Sequence, residues 1–268
     1  MHRGFQLEGL SETFGISNAP LGRVIQEEQK SAVRSTLDAY LTEDGKLDAK
    51  ALSSAWFPAI KADIFISHSH NDEERALRLA GWLKEHFALN SFIDSTVWSS
   101  ADELLKKIDD KYCKNVGEAS YSYEKRNLST SHVHMMLTMA ITEMIDSCEC
   151  LFFLNTPSSI SPVKTINEAK TSSPWIYAEI AISKTIQKKQ LPTSRRGKEF
   201  VAMDSASLES DGSVPLIHGL DVAHLSTISE LQLCKWTLDY QISKTRSPLD
   251  ILYENIPRRS HIFTKNGV

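Results

Sequence analysis

Three short apolar segments, separated by helical patterns, constrain the fold of this chain more than any other feature. They are Asp63–Ser67, Ser91–Asp94 and Cys150–Leu154. Apolar runs of this length are typical of strands that are buried on both faces of a parallel sheet. Helical stripes lie between them, at Ala76–Phe87 and Val133–Met144. Strands that alternate with helices predict right-handed crossovers and an α/β fold with a parallel sheet flanked by helices.

Further elements extend this pattern toward both ends. We expect a helix at Pro174–Lys188, a strand at Glu199–Met203 and a helix at Ser226–Ser243. The inward residues of that last helix are predicted to be Leu231, Cys234, Leu238 and Ile242. The domain prediction has three parts: a helical N-terminal extension over residues 1–60, an α/β domain over 61–222 with a long polar insertion at about 95–132, and a C-terminal helix and tail over 223–268.

Charge and composition narrow the class of protein. The net charge of −4 and the pI near 6.1 argue against a nucleic-acid partner, because such proteins carry a basic excess that neutralises phosphates. No apolar run approaches the roughly 18 residues that span a bilayer, and no signal peptide follows Met1. The cysteines (Cys113, Cys148, Cys150 and Cys234) form no C-x-x-C pair. We therefore expect a cytoplasmic protein with reduced thiols and no membrane partner.

Polar residues follow each of the three predicted strands. They are the segments Ser67–Asp72, Asp94–Ser95 and Asn155–Thr156. In an open parallel sheet, ligands bind beyond the carboxyl ends of the strands. Although any surface loop is polar, three such segments that end at one edge favour a binding site there.

The helix at Pro174 carries an unusual residue. Ser173 suits the N-cap position and Pro174 the first helical position. Helical spacing from there places Trp175, Ala178, Glu179, Ile182 and Ile186 on one face. A carboxylate inside an apolar stripe is costly to bury without a partner, so Glu179 is the best candidate for a functional residue. The alternative is that Glu179 lies at the margin of the stripe and pairs with a cation.

The order of these motifs resembles the TIR (Toll/interleukin-1 receptor) domain family, especially its bacterial enzymatic branch. The segment Asp63–Ser69 looks like the first strand of that family, and Phe92–Asp94 looks like its second. Ser173–Glu179 is similar to the S-x-W-x-x-x-E segment that carries the catalytic glutamate. The polar stretch 95–132 is longer than the corresponding loop of the family and lacks its usual glycine.

The resemblance implies a flavodoxin-like fold and an enzyme that acts on NAD. It would break the bond between nicotinamide and ribose and release ADP-ribose, or a cyclic or conjugated form of it. Glu179 would be catalytic, with His68, Ser69, His70, Asp94 and Trp175 around the substrate. The resemblance also implies NAD as a substrate rather than a cofactor, homo-oligomers formed through TIR contacts, a downstream effector protein and a role in antiphage defence.

Two alternatives remain open at this stage. One is a TIR module that does not catalyse and only assembles with other domains. The other is a metal-dependent hydrolase, because His68, His70 and Asp72 form an H-x-H-x-D pattern after a strand, and imidazole and carboxylate suit zinc. One observation argues against a metal site: Glu73 occupies the position where such a motif has another histidine.

His132 and His134 could suggest a metal site as well. They are two residues apart on a helix, however, so their rings point in different directions.

Overall fold

The computed structural model describes residues 1–31, 37–115, 117, 119–160, 169–191, 195 and 217–258. Its strands are β1 (Arg3–Glu8), β2 (Ile64–Ser67), β3 (Ser91–Ile93), β4 (Cys150–Asn155), β5 (Ala169–Thr171), β6 (His218–Leu220) and β7 (Ser226–Ser229). Five of them form one sheet in the order β3-β2-β4-β1-β7, and every neighbouring pair is parallel. The predicted α/β fold is confirmed, and the sheet is consistent with a flavodoxin-like fold.

Helices cover both faces of this sheet. They are α1 (Ala19–Ser31), α2 (Ala49–Trp56), α3 (Glu73–Phe87), α4 (Ser95–Ile108), α5 (Tyr123–Ser147), α6 (Pro174–Thr185), α7 (Glu230–Ile242) and α8 (Pro248–Asn255). One core layer joins the sheet to α2, α4, α5 and α6, and the other joins it to α3, α7 and α8. Within the described ranges, no helix is both long and apolar enough to cross a membrane.

The N-terminal segment is part of the sheet, so the prediction of a helical extension over residues 1–60 is wrong for its first residues. Strand β1 lies between β4 and β7, and Phe5 pairs with Phe152 on one side and Ser226 on the other. Phe5 is fully buried. Helices α1 and α2 follow, as the rest of that prediction expects. The α/β unit therefore begins at residue 3 rather than at residue 61.

Helix α1 is fixed to α3 by a close backbone crossing. A Cβ atom on Gly22 would overlap the backbone carbonyl of Leu77, and one on Gly81 would overlap the carbonyl of Asn18. Only glycine permits this approach, since any other residue would force the two helices apart. The crossing ties the N-terminal helix to the helix that follows β2.

The C-terminal prediction also needs correction. Residues 226–229 form strand β7, and α7 begins at Glu230 behind a capping box made by Ser229 and Gln232. The buried residues of α7 are Leu233 and Trp236, and the Trp236 ring stacks on Phe87 at 3.8 Å. The residues predicted to face inward are exposed instead: Leu231, Cys234, Leu238 and Ile242. The large Trp236 side chain determines which face of the helix is buried.

The described residues between 95 and 132 fold as part of the domain. Helix α4 starts directly after β3, a π-helical turn follows at Asp109–Cys113, and α5 starts at Tyr123. The predicted stripe of α5 is confirmed, with Val133, Leu137 and Ile141 buried. The strand expected at Glu199–Met203 falls outside the described residues.

We predict that Gly22→Ala destabilises the protein by about 1–3 kcal/mol, because a methyl group has no room at the crossing of α1 and α3. In an open helix the same change would stabilise by roughly 1 kcal/mol. Urea unfolding measures the difference. Gly219→Ala is the control, since a Cβ there meets nothing within 4 Å, and it should stay within about 0.5 kcal/mol of wild type. A Gly22→Ala protein as stable as wild type would refute the tight crossing.

Candidate active site

The alternation of side chains along β2 and β3 brings two polar residues together. Phe65 and Phe92 are paired across the two strands and lie in the same core layer. Since side chains two residues apart point to the same face, Ser67 and Asp94 face that layer as well. Both are fully buried, at the carboxyl ends of their strands. The topology therefore places a hydroxyl and a carboxyl group side by side under α6.

Helix α6 brings Glu179 to the same point. Ser173 caps the helix by accepting a hydrogen bond from the Ile176 N–H, and Pro174 occupies its first turn, as predicted. The buried face is centred on Glu179, which is 0% exposed, and includes Ile176 and Ile180. Glu179 is therefore not at the margin of an apolar stripe, and among the described residues its carboxyl group meets Ser67 and Asp94 rather than a cation. The alternative of a surface ion pair is wrong.

Direct contacts join these groups into one cluster, which consists of Ser67, His68, Asp94 and Glu179. Ser67 Oγ donates a hydrogen bond to Glu179 Oε2 at 2.5 Å. The backbone N–H of His68 donates to Asp94 Oδ2 at 3.0 Å, and His68 Nδ1 lies 2.5 Å from Asp94 Oδ1 without forming an aligned hydrogen bond. All four residues are fully buried. The cluster is dense in polar atoms and closed to solvent.

Several polar atoms of the cluster lack an aligned hydrogen bond. In the described part of the chain, no aligned hydrogen bond reaches Glu179 Oε1 or His68 Nε2, while His68 Nδ1 and Asp94 Oδ1 contact each other. Buried polar groups are nearly always paired in native proteins, so each exception requires an explanation. One explanation is a proton shared by the two carboxyl groups. Another is a ligand that pairs with these atoms when it binds.

The two carboxyl groups cannot both be ionised in this space. Burial raises the pKa of Glu179 well above its ordinary value, and the charge of Asp94 raises it further. Burial also raises the pKa of Asp94, although the His68 N–H opposes that rise. The backbone N–H of His68 donates to Asp94 Oδ2 and so favours the ionised form of Asp94. We therefore assign the shared proton to Glu179.

The imidazole of His68 is neutral in the closed site. Burial lowers the pKa of His68 to about 4, even though Glu179 and other acidic groups nearby oppose that change. The ring of Trp98, on α4, stacks against it with centroids 5.7 Å apart. Trp98 therefore forms part of the wall of the cluster. The sequence does not indicate this role for Trp98, because the residue lies in a polar stretch.

The three polar segments converge at this edge of the sheet, as predicted. Asp94 bonds to the segment after β2 through His68. Thr156, after β4, donates a hydrogen bond to Asp72 at 2.5 Å. From β2 the chain continues to β3 on one side, and it then returns to form β4 on the other side of β2. The gap between β2 and β4 is therefore a topological switch point, and the cluster lies beside it. This is where ligands bind in open α/β sheets.

The structure separates the predicted site residues into two groups. His68, Asp94 and Glu179 are brought together, and Ser67 joins them although sequence reasoning gave it no role of its own. Ser69 instead caps the turn at His70–Asp72, and the His70 side chain is exposed. Trp175 is half-buried with its ring edge-on to His134 at 5.1 Å. These last three lie around the cluster rather than in it.

The H-x-H-x-D pattern does not assemble a metal site. His68 turns into the core, His70 faces solvent and Asp72 pairs with Thr156 and Arg75. In the part of the chain that the structure describes, no three His, Cys, Asp or Glu residues are grouped as ligands of one ion. The metal-dependent hydrolase therefore has no ligand set on these residues.

No protein-family model, curated protein or solved structure matches this chain. Its chemistry must therefore be inferred from the cluster itself and from the sequence motifs that build it.

We predict that Glu179→Gln makes stability less sensitive to pH above 6.5. Because the folded protein holds a proton on Glu179 that the unfolded chain loses near the ordinary glutamate pKa of 4.5, the wild type loses stability as pH rises from that value toward the raised pKa. His68 has the opposite dependence, confined between pH 4 and 6.5. Above pH 6.5, the stability of the Gln variant relative to wild type should increase by up to about 1.4 kcal/mol per pH unit.

Thermal and urea unfolding between neutral and alkaline pH measure this difference. The control is Glu43→Gln, since Glu43 is exposed and its variant should track wild type throughout. A constant difference between Glu179→Gln and wild type across the range would show that Glu179 holds no extra proton.

Proposed function

We propose that this protein cleaves the bond between nicotinamide and ribose in NAD, with Glu179 as the catalytic carboxylate. The observation that carries the proposal is the buried pair of Glu179 and Asp94 beside a switch point of the sheet. The resemblance of Ser173–Glu179 to the S-x-W-x-x-x-E segment of TIR enzymes agrees with it. Both lines of reasoning arrive at Glu179 independently.

The chemistry suits a carboxylate in a dry site. When the ribose–nitrogen bond breaks, its electron pair moves to the pyridinium ring, which leaves as neutral nicotinamide. The ribose then carries oxocarbenium-like positive charge, and a nearby carboxylate stabilises that charge, as in glycoside hydrolysis. A low-dielectric site strengthens the interaction. Water, or a nucleophile of the ADP-ribose itself, adds to the ribose carbon and loses a proton.

Glu179 would have to lose its proton before it could stabilise this positive charge. A positively charged nicotinamide riboside favours the ionised form of Glu179, so substrate binding would release its proton. Asp94 is the adjacent group that can accept it, because the two carboxyl groups interact directly. Ser67 would then hold the Glu179 carboxylate in position through its 2.5 Å hydrogen bond. His68, Ser69, His70 and Trp175 remain proposed substrate contacts.

One observation favours a second candidate, a TIR-like module that only assembles with other domains. Glu179 is 0% exposed, so the cluster in this closed form admits no substrate. A sealed polar cluster also occurs as a structural feature that favours one packing arrangement. Nε2 of the buried His68 ring has no hydrogen-bond partner among the described residues, and this weighs against a purely structural cluster, which tends to pair its polar groups.

We predict that purified protein converts NAD to nicotinamide, and that Glu179→Gln lowers the rate at least about a hundredfold, because the amide cannot neutralise positive charge on ribose. Asp94→Asn should lower it by about tenfold or more. Chromatography of the reaction identifies nicotinamide and distinguishes ADP-ribose from a cyclic or conjugated product.

Glu43→Gln, on the exposed surface, is the matched control and should keep full activity. Near wild-type turnover by folded Glu179→Gln protein would remove Glu179 from the mechanism. A wild type that leaves NAD intact, both alone and at high protein concentration, would favour the assembly module.

The biological setting follows from the resemblance alone. We propose a cytoplasmic enzyme that acts in bacterial antiphage defence, forms homo-oligomers and signals through its product to an effector protein. Loss of phage resistance with the Glu179→Gln variant in a host that carries the system would test that role.

A further inference from the structure

The outer face of α5 lacks the charges that a solvent-exposed helix usually carries. The sixteen residues from Asn127 to Thr142 include no Asp, Glu, Lys or Arg. At 1.5 Å per residue, this uncharged stretch is about 24 Å long. The inner face of α5 packs on the domain through Val133, Leu137 and Ile141. The absence of charge on the opposite face therefore needs a separate reason.

That outer face carries a regular apolar stripe. Leu128, Met135 and Met139 are 63%, 64% and 53% exposed, and the exposed His132 lies between them. Their spacing of four, three and four residues is that of a seam along which two helices pack. Methionine is enriched at protein interfaces and adapts to the surface that it meets. Three large apolar side chains in one row mark a docking surface.

Charges at the two ends of the stripe indicate what docks there. Lys125 and Glu143 are both exposed and bracket the uncharged stretch. They are eighteen residues apart, which is about five full turns, so they lie on the same flank of the helix. A partner helix that presents an acidic group at the Lys125 end and a basic group at the Glu143 end would complement both.

An antiparallel copy of α5 is such a partner. With the twofold axis between His132 and Met135, Leu128 of one copy faces Met139 of the other, and His132 faces Met135. The same register places Lys125 within one residue of the position opposite Glu143 of the second copy, on the matching flank. A parallel arrangement would instead bring like charges to the same level at both ends and would form no pair of Lys125 with Glu143. We propose that two copies of this chain associate through an antiparallel pair of α5 helices.

This contact would be made by the helix that packs against α6. Helix α5 packs against α6, which carries Glu179, and the His134 ring meets Trp175 at their junction. The association itself does not depend on the proposed NAD activity, since it rests on a different face of α5.

Charge exchange tests the proposal on the full chain. Lys125→Glu and Glu143→Lys should each weaken the dimer by about tenfold, because each places like charges together at both ends of the pair. The double variant, with the two charges exchanged, should restore the wild-type dissociation constant. Met135→Lys should give monomers. Sedimentation velocity across the micromolar range measures the four variants and the wild type, and circular dichroism confirms that each is folded.

Leu231→Lys is the control, because Leu231 is 82% exposed on α7 and lies outside the proposed contact; it should leave the dimer intact. A monomeric wild type would overturn the proposal and leave the stripe to a different protein or another surface. So would single charge reversals that the exchange fails to rescue, or a dimer that Leu231→Lys dissociates but Met135→Lys does not.

Discussion

Strand β4 is hydrogen-bonded along both edges, and the arrangement of the whole domain depends on how those edges are filled. β2 pairs with one edge and β1, from the N-terminal segment, with the other. A buried strand cannot leave its N–H and C=O groups unpaired. The first eight residues therefore complete the sheet, and β7 extends it from the opposite end of the chain. Segments distant in sequence are joined into one unit, and the carboxyl ends of β2 and β4 meet where the site is.

A second constraint acts within that frame, since two carboxyl groups share one dry space. Mutual repulsion and burial together keep a proton on the pair, so its charge responds to whatever enters the site. The same cluster is costly in a resting protein, because apolar residues of similar volume would pack there without penalty. Residues that reduce stability in this way are expected at functional sites.

Much of the site could be predicted from local patterns, because the physics involved is local. Alternation along Phe65–Ser67 and Phe92–Asp94 determines which residues face α6, and the Ser173 cap sets the phase of that helix. Strand β1 could not be predicted, because its buried positions include the polar residues Arg3 and Gln6, which interrupt the apolar run expected of a buried strand. Arg3 and Gln6 are paired by Ser226 and Thr227 of β7, partners more than 200 residues away. The predicted buried face of α7 is wrong because burial of the large Trp236 side chain turns several smaller apolar residues toward solvent.

The closed wall around Glu179 limits how fast a ligand can bind. Because Trp98 stacks over His68 and the carboxyl groups have no exposed surface, a molecule cannot reach them until this part of the fold opens. Opening then precedes binding, and the observed association rate should level off at the opening rate as ligand concentration increases. The slowest event would belong to the protein rather than to the bond that is broken. Substitutions in the wall would then change how fast the protein works without altering the groups that react.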